Sequence, residues 1–136
     1  MSQVRKIRVV IVEDFEMTRT LLKIILRGDE FEVVGEAGDG LEGVQLCQQL
    51  QPDMVFIDVI MPKLNGLDAL PEIRALLPHA TIIMVTGNED EDVVSKAMRS
   101  GANAYIVKPF NSASVLETMQ VARQKFILRN PAMRDA

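Results

Sequence analysis

Five short apolar runs punctuate the chain, and each is followed by a stretch whose apolar residues recur at helical spacing. The first run, residues 7–12, is interrupted only by Arg8 and ends on Glu13-Asp14. Met17, Leu21, Ile24 and Ile25 then recur with the period of a helix, which Gly28 stops. Residues 31–36 read as a short strand, with Gly35, Gly38 and Gly40 marking the turn after it. Leu41, Val44, Cys47 and Leu50 form a helix face that Gln51-Pro52 ends. Met54-Val55-Phe56-Ile57 runs straight into Asp58, and a brief apolar run closed by turn signals (Pro62, Asn65-Gly66) reads as a buried parallel strand. Residues 67–77 read as a helix that either begins near Pro71 or kinks there. Pro78-His79 is a turn, with His79 a solvated loop residue. Residues 81–85 form a strand ending on Thr86-Gly87. Val93, Val94, Ala97 and Met98 lie on a polar-rich helix stopped by Gly101. Residues 104–107 form a strand ending on Lys108-Pro109. Val115, Met119, Ala122 and Phe126 mark the last helix, stopped by Asn130-Pro131.

Five βα units with no linker and no internal repeat argue for a parallel sheet covered by helices on both faces. The length, 136 residues, suits one domain with a sizeable core, and 48% apolar with 25% charged residues is ordinary for a globular protein. A net charge of -4 and the lack of a long basic run speak against direct nucleic-acid binding. The apolar runs are too short to span a membrane, and Arg8 and Glu13 break up the first as a signal peptide, so the expectation is a cytoplasmic protein without membrane insertion. The single cysteine, Cys47, excludes an intramolecular disulfide and a cysteine metal cage and reads as a small core residue. The glycine cluster has neither the spacing of a dinucleotide fingerprint nor a following Lys-Ser/Thr, so it is a turn. The eight methionines read mainly as core filler.

The strand ends carry the chemistry. Glu13-Asp14, Asp58, Thr86 and Lys108 each end a different strand, and in a parallel sheet all carboxyl ends share one edge, where ligands of open α/β sheets bind. A strand as apolar as residues 54–57 has no structural need of a carboxylate at its tip, although a cap or turn role is the other reading open to Asp58. Thr86 alone would pass for an ordinary strand end and Lys108 alone for a solvated lysine; together they form a constellation. Crowded carboxylates repel unless a cation is present, and Mg²⁺ suits an all-oxygen site. A carboxylate can act as a nucleophile toward phosphorus, with Lys108 and Thr86 placed to meet the phosphoryl oxygens.

These residues resemble the receiver domain of bacterial two-component response regulators over about residues 7–126. The matching motifs are Val12-Glu13-Asp14, Phe56-Ile57-Asp58 with Met61-Pro62 and Gly66, Val85-Thr86-Gly87, and Gly101-Ala102 with Tyr105-Ile106-Val107-Lys108-Pro109-Phe110. The resemblance implies a flavodoxin-like, doubly wound five-stranded sheet in the order 2-1-3-4-5 with five helices. It implies that Asp58 is the phosphoacceptor, and that Asp14, Asp58 and the backbone carbonyl of Ile60 ligate Mg²⁺, with Glu13 acting through metal-bound water. It implies further that Lys108 contacts the phosphoryl group and precedes a cis peptide bond, and that Thr86 and Tyr105 form a switch pair that changes the face of the fourth helix, fifth strand and fifth helix. Its partners would be a sensor histidine kinase or phosphotransfer protein and a downstream protein. The expected domain is 1–136, with a core at about 7–128 and a short tail at 129–136, present as a monomer or weak dimer.

Two departures from the family pattern matter. Ile60 is apolar where many relatives are polar, which predicts slow loss of the phosphoryl group; Asn88 is the other residue expected near the path of the attacking water. Gly101-Ala102-Asn103-Ala104-Tyr105 lacks the acidic residue that one DNA-binding subfamily uses in dimer salt bridges. The chain could also be the receiver of a longer regulator with a separate output domain. Two other classes compete. An aspartyl phosphohydrolase on a similar sheet would carry a second Asp as general acid where Ile60 stands, and Ile60 cannot transfer a proton. A flavin carrier would lack its hydroxyl-rich phosphate loop and meet Glu13-Asp14 instead. The expectation is a signalling domain, not an enzyme.

Overall fold

A strand buried on both faces needs apolar residues on both sides, and the alternate residues of each run here feed two separate cores. In the computed structural model, residues 3–87, 91–130, 132, 134 and 135 are described. The strands β1 (Ile7–Val12), β2 (Phe31–Ala37), β3 (Met54–Asp58), β4 (Thr81–Thr86) and β5 (Ala104–Val107) alternate with helices α1 (Glu16–Ile25), α2 (Gly40–Leu50), α3 (Gly66–Leu76), α4 (Glu91–Arg99) and α5 (Ser112–Arg129). The strands form one parallel sheet in the order β2-β1-β3-β4-β5, the order the resemblance implied. On one face, Val9, Ile11, Phe56, Ile83 and Val85 pack with Leu22 of α1, with Leu26 at its C-cap, and with Val115, Met119, Ala122 and Phe126 of α5. On the other, Val10, Val12, Val55, Ile57, Ile82 and Met84 pack with Cys47, Leu70, Ile73 and Ala97 of α2, α3 and α4. Cys47 is fully buried, and burial pushes its thiol up to about 12, as befits a packing residue.

Three elements differ from the sequence reading. The inward residues are Leu22 of α1 and Leu26 at its C-cap, with Ile25 partly buried against the same core, while Met17, Leu21 and Ile24 face solvent, Met17 at 72% exposure. Residues 21–26 are apolar except for Lys23, so periodicity alone does not choose the buried stripe. The second difference is in α3, which begins at Gly66 and runs through Pro71. Its start is set by the Asn65 side chain, which accepts the Asp68 N–H at 2.9 Å, and by the Gly66 N–H, which donates to the Val59 carbonyl at 2.8 Å. The third lies at the chain ends. Gln3–Val4 pairs antiparallel with Arg134–Asp135, outside the expected core. Arg129, read as the first residue of the tail, ends α5 and donates to the Thr81 hydroxyl at 3.1 Å.

Asn103, although exposed, ties elements together. Its Oδ1 accepts from Arg74 Nη2 at 2.7 Å and from the Ile82 N–H at 2.8 Å, tying the start of β5 to α3 and β4. Among the described residues no helix is long and apolar enough to cross a membrane.

Candidate functional site

The carboxyl edge of the sheet gathers the predicted residues from four separate strands. Glu13 follows the last residue of β1 and stays in register through its N–H, which donates to the Ala37 carbonyl at 2.9 Å. Asp58 is the last residue of β3 and pairs in register with Val85, so Thr86 stands one step further along β4. Lys108 follows β5, and its N–H donates to the Thr86 carbonyl at 2.7 Å. The Lys108-Pro109 peptide is cis.

The side chains converge. Lys108 Nζ donates to Glu13 Oε1 at 2.7 Å and to Asp58 Oδ2 at 3.0 Å. Carboxylate oxygens of Glu13, Asp14 and Asp58 lie within 4.8 Å of one another. Glu13, Asp58 and Thr86 are buried, and Asp14 is exposed at the mouth. Burial, reinforced by the neighbouring Asp58 carboxylate, pushes the Glu13 carboxyl up to about 7 against the lowering pull of Lys108 and of the Phe15 N–H. Burial alone would lower the Lys108 ammonium, but hydrogen bonds to Glu13 and Asp58, and their charges, outweigh it and leave it raised. With all three carboxylates ionised, the one cation of Lys108 leaves two negative charges uncompensated in the cluster. An all-oxygen, carboxylate-rich donor set of this kind fits a hard divalent cation such as Mg²⁺.

The backbone around the carboxylates is braced. The Phe15 N–H donates to Glu13 Oε2 at 3.1 Å and the Ile60 N–H to Asp58 Oδ1 at 3.3 Å. Gly66 backs directly onto the strand end: a Cβ there would lie 2.0 Å from the Asp58 carbonyl oxygen. The Ile60 side chain is 76% exposed beside the mouth. Tyr105, on β5, does not reach the acidic cluster. Its ring is 45% exposed and lines a groove of about 610 Å³ together with Met98, Val121 and Lys125. Asn88 lies outside the described residues.

Arg19 belongs to the site's surroundings and escaped the sequence reading. Its Nη1 donates to the Glu13 carbonyl at 2.7 Å and its Nε to Glu36 Oε1 on β2 at 3.3 Å. Nothing in the sequence distinguishes it from a solvated helix arginine.

Fold and site together define a doubly wound α/β domain with a carboxylate pocket and a lysine at the carboxyl edge of its sheet. The chain belongs to the response regulator receiver domain family, whose model matches residues 9–120. It is similar to the chemotaxis protein CheY of Listeria monocytogenes, with 40% identity over 116 residues, 85% of this chain and 98% of that protein. Among solved structures it is similar to the response regulator domain of Thermotoga maritima CheB, with 36% identity and a TM-score of 0.80, covering 88% of this chain and 98% of that one. It is also similar to a chain of the CheX-CheY-BeF3-Mg²⁺ complex of Borrelia burgdorferi, with 32% identity and a TM-score of 0.81, covering 86% of this chain and 90% of that one. The protein is thus a receiver domain of two-component signalling, a signalling domain by family.

Proposed function

We propose that residues 1–136 form a single receiver domain whose Asp58 accepts a phosphoryl group from a sensor histidine kinase or phosphotransfer protein in the cytoplasm. The observation that carries this is Lys108 Nζ bridging Asp58 Oδ2 and Glu13 Oε1 inside a cluster of three carboxylates. An Asp58 carboxylate oxygen attacks phosphorus. The bond from phosphorus to the donor's imidazole nitrogen breaks, and the imidazole leaves with its electron pair and takes a proton. Lys108 then holds one phosphoryl oxygen by a charge-assisted hydrogen bond, and the buried Thr86 hydroxyl serves a second. Asp14, Asp58 and the Ile60 carbonyl would hold Mg²⁺, with Glu13 reaching it through water. When bound, Mg²⁺ neutralises charge on the phosphoryl oxygens. The Borrelia burgdorferi complex, crystallised with Mg²⁺ and the phosphoryl mimic BeF3, supports the same reading here. The exposed Phe15, Met17, Leu21 and Ile24 lead away from the mouth along α1 and offer the donor an apolar docking stripe.

The test is intact mass spectrometry after incubation with acetyl phosphate and Mg²⁺. One phosphoryl adduct is expected on the wild type, absent from Asp58→Asn and from wild type in chelator. An adduct that persists on Asp58→Asn overturns the assignment.

A further inference from the structure

We infer that Arg19 is a positioning residue for the acidic site, fixing the Glu13-Asp14 peptide through the Glu13 carbonyl. This rests on the proposed cation-binding role of Asp14. In a parallel ladder the Glu13 carbonyl would be met by an amide of β2, but β2 ends at Ala37 and the chain turns away through Gly38 to cap α2 at Asp39. Arg19 Nη1 takes that place at 2.7 Å. The guanidinium is itself aimed by Glu36, the next-to-last residue of β2, which accepts from Arg19 Nε at 3.3 Å and from Lys23 Nζ at 2.9 Å. The whole assembly is half-buried, with the Arg19 side chain at 19% exposure.

The consequence falls on Asp14. Glu13 is held at four points: its N–H by Ala37, its carbonyl by Arg19, and its two carboxylate oxygens by Lys108 and the Phe15 N–H. Asp14 is exposed, and its direction follows from the peptide plane that joins it to Glu13. Arg19 holds that plane through the Glu13 carbonyl oxygen. An arginine suits the task because its planar fork serves two acceptors in fixed geometry, whereas a lysine presents one nitrogen.

The experiment is calorimetric titration of the whole chain with MgCl₂ at fixed pH and ionic strength. Arg19→Ala should weaken Mg²⁺ binding by about tenfold, the usual scale for removing a group that orients a metal ligand. Arg19→Lys, which keeps a cationic donor but only one nitrogen, should recover only part of that loss. Lys23→Ala removes the other partner of Glu36 without touching the Glu13 carbonyl and should bind within about twofold of wild type, even where it lowers thermal stability to a similar degree. Arg19→Gln replaces Arg19→Ala if the latter does not fold. The role is overturned if Arg19→Ala or Arg19→Gln binds Mg²⁺ as wild type does, or if Lys23→Ala weakens binding equally. A wild type that binds no Mg²⁺ at all overturns the metal reading itself, and the role of Arg19 with it.

Discussion

At the scale of single residues, the site is a contest between desolvation and pairing. Glu13 is almost wholly buried, and its carboxyl stands at about 7 instead of the ordinary 4.5, chiefly because burial penalises the charged form. The folded state therefore holds a proton on Glu13 across the interval from 4.5 to about 7 that the unfolded chain has already released. By linkage, this group's contribution to stability is fully present below 4.5 and is lost as pH rises through about 7. Thermal unfolding in chelator should give a wild-type midpoint that falls between pH 5 and pH 8 relative to that of Glu13→Gln, which cannot ionise there. Adding Mg²⁺ should recover most of the fall at pH 8 and little at pH 5, because a cation in the cluster favours the ionised form of the neighbouring carboxyl, which protonation at low pH opposes. Parallel midpoints for the two proteins across this range would refute the assignment of the titration to Glu13. The residues that gather at this edge were legible in the sequence because each sits where a strand must end: Asp58 after four apolar residues, Lys108 before a proline. The charge state of Glu13 was not legible, since it depends on burial by residues distant in the chain.

At the scale of elements, α3 is built onto the end of β3. Its first residue, Gly66, touches the Asp58 carbonyl, so any side chain there must displace either the helix or the strand end. Gly66→Ala is expected to destabilise the fold by about 2–3 kcal/mol, the range of steric overpacking, and to disturb the Asp58 backbone. Gly87→Ala is the comparison: a Cβ there meets nothing within 4 Å, and a change below about 0.5 kcal/mol is expected. Urea unfolding of the two variants checks this, and equal losses would contradict the close-approach argument. The sequence placed α3 correctly in kind, within a residue of its observed span, but left open a start near Pro71, because Pro71 weighed as a breaker while the Asn65 cap and the Gly66 contact, which hold the first turn, went unseen. The mistaken face of α1 has a different origin. The apolar arc of α1 is wide, running from Ile24 round to Leu22, and which part of it is buried is set by what packs against it.

At the scale of the molecule, the question is how events at the acidic edge reach a partner. Thr86 is buried on β4, and Tyr105 is half-exposed on the neighbouring β5, in register with Met84. A phosphoryl group drawing on the Thr86 hydroxyl would vacate space beside β4, into which the Tyr105 ring can turn, altering the groove between β5, α4 and α5. Inverting a population from 1:99 to 99:1 takes about 5.5 kcal/mol of differential interaction, a demand that charged hydrogen bonds from Lys108 help to meet. Thr86→Ala should leave phosphorylation of Asp58 largely intact while abolishing the shift of Tyr105 resonances on adding beryllofluoride and Mg²⁺. Identical shifts in mutant and wild type would show that the coupling runs elsewhere.

The sequence by itself determined the alternation of strands and helices, the five-stranded parallel sheet, and the identity of the residues at its carboxyl edge. These follow from local signals: apolar runs bounded by turns, and polar residues where burial stops. Only the tertiary structure decided which stripe of α1 is buried, that Arg19 takes up the Glu13 carbonyl, that Asn103 ties β5 to α3, and that the two chain ends pair. The buried stripe of α1, the Asn103 tie and the pairing of the ends depend on partners far along the chain, whereas Arg19 meets a carbonyl six residues away and is aimed there by Glu36 of β2. An arginine, an asparagine or an apolar helix residue carries no local mark of whether such a partner awaits it.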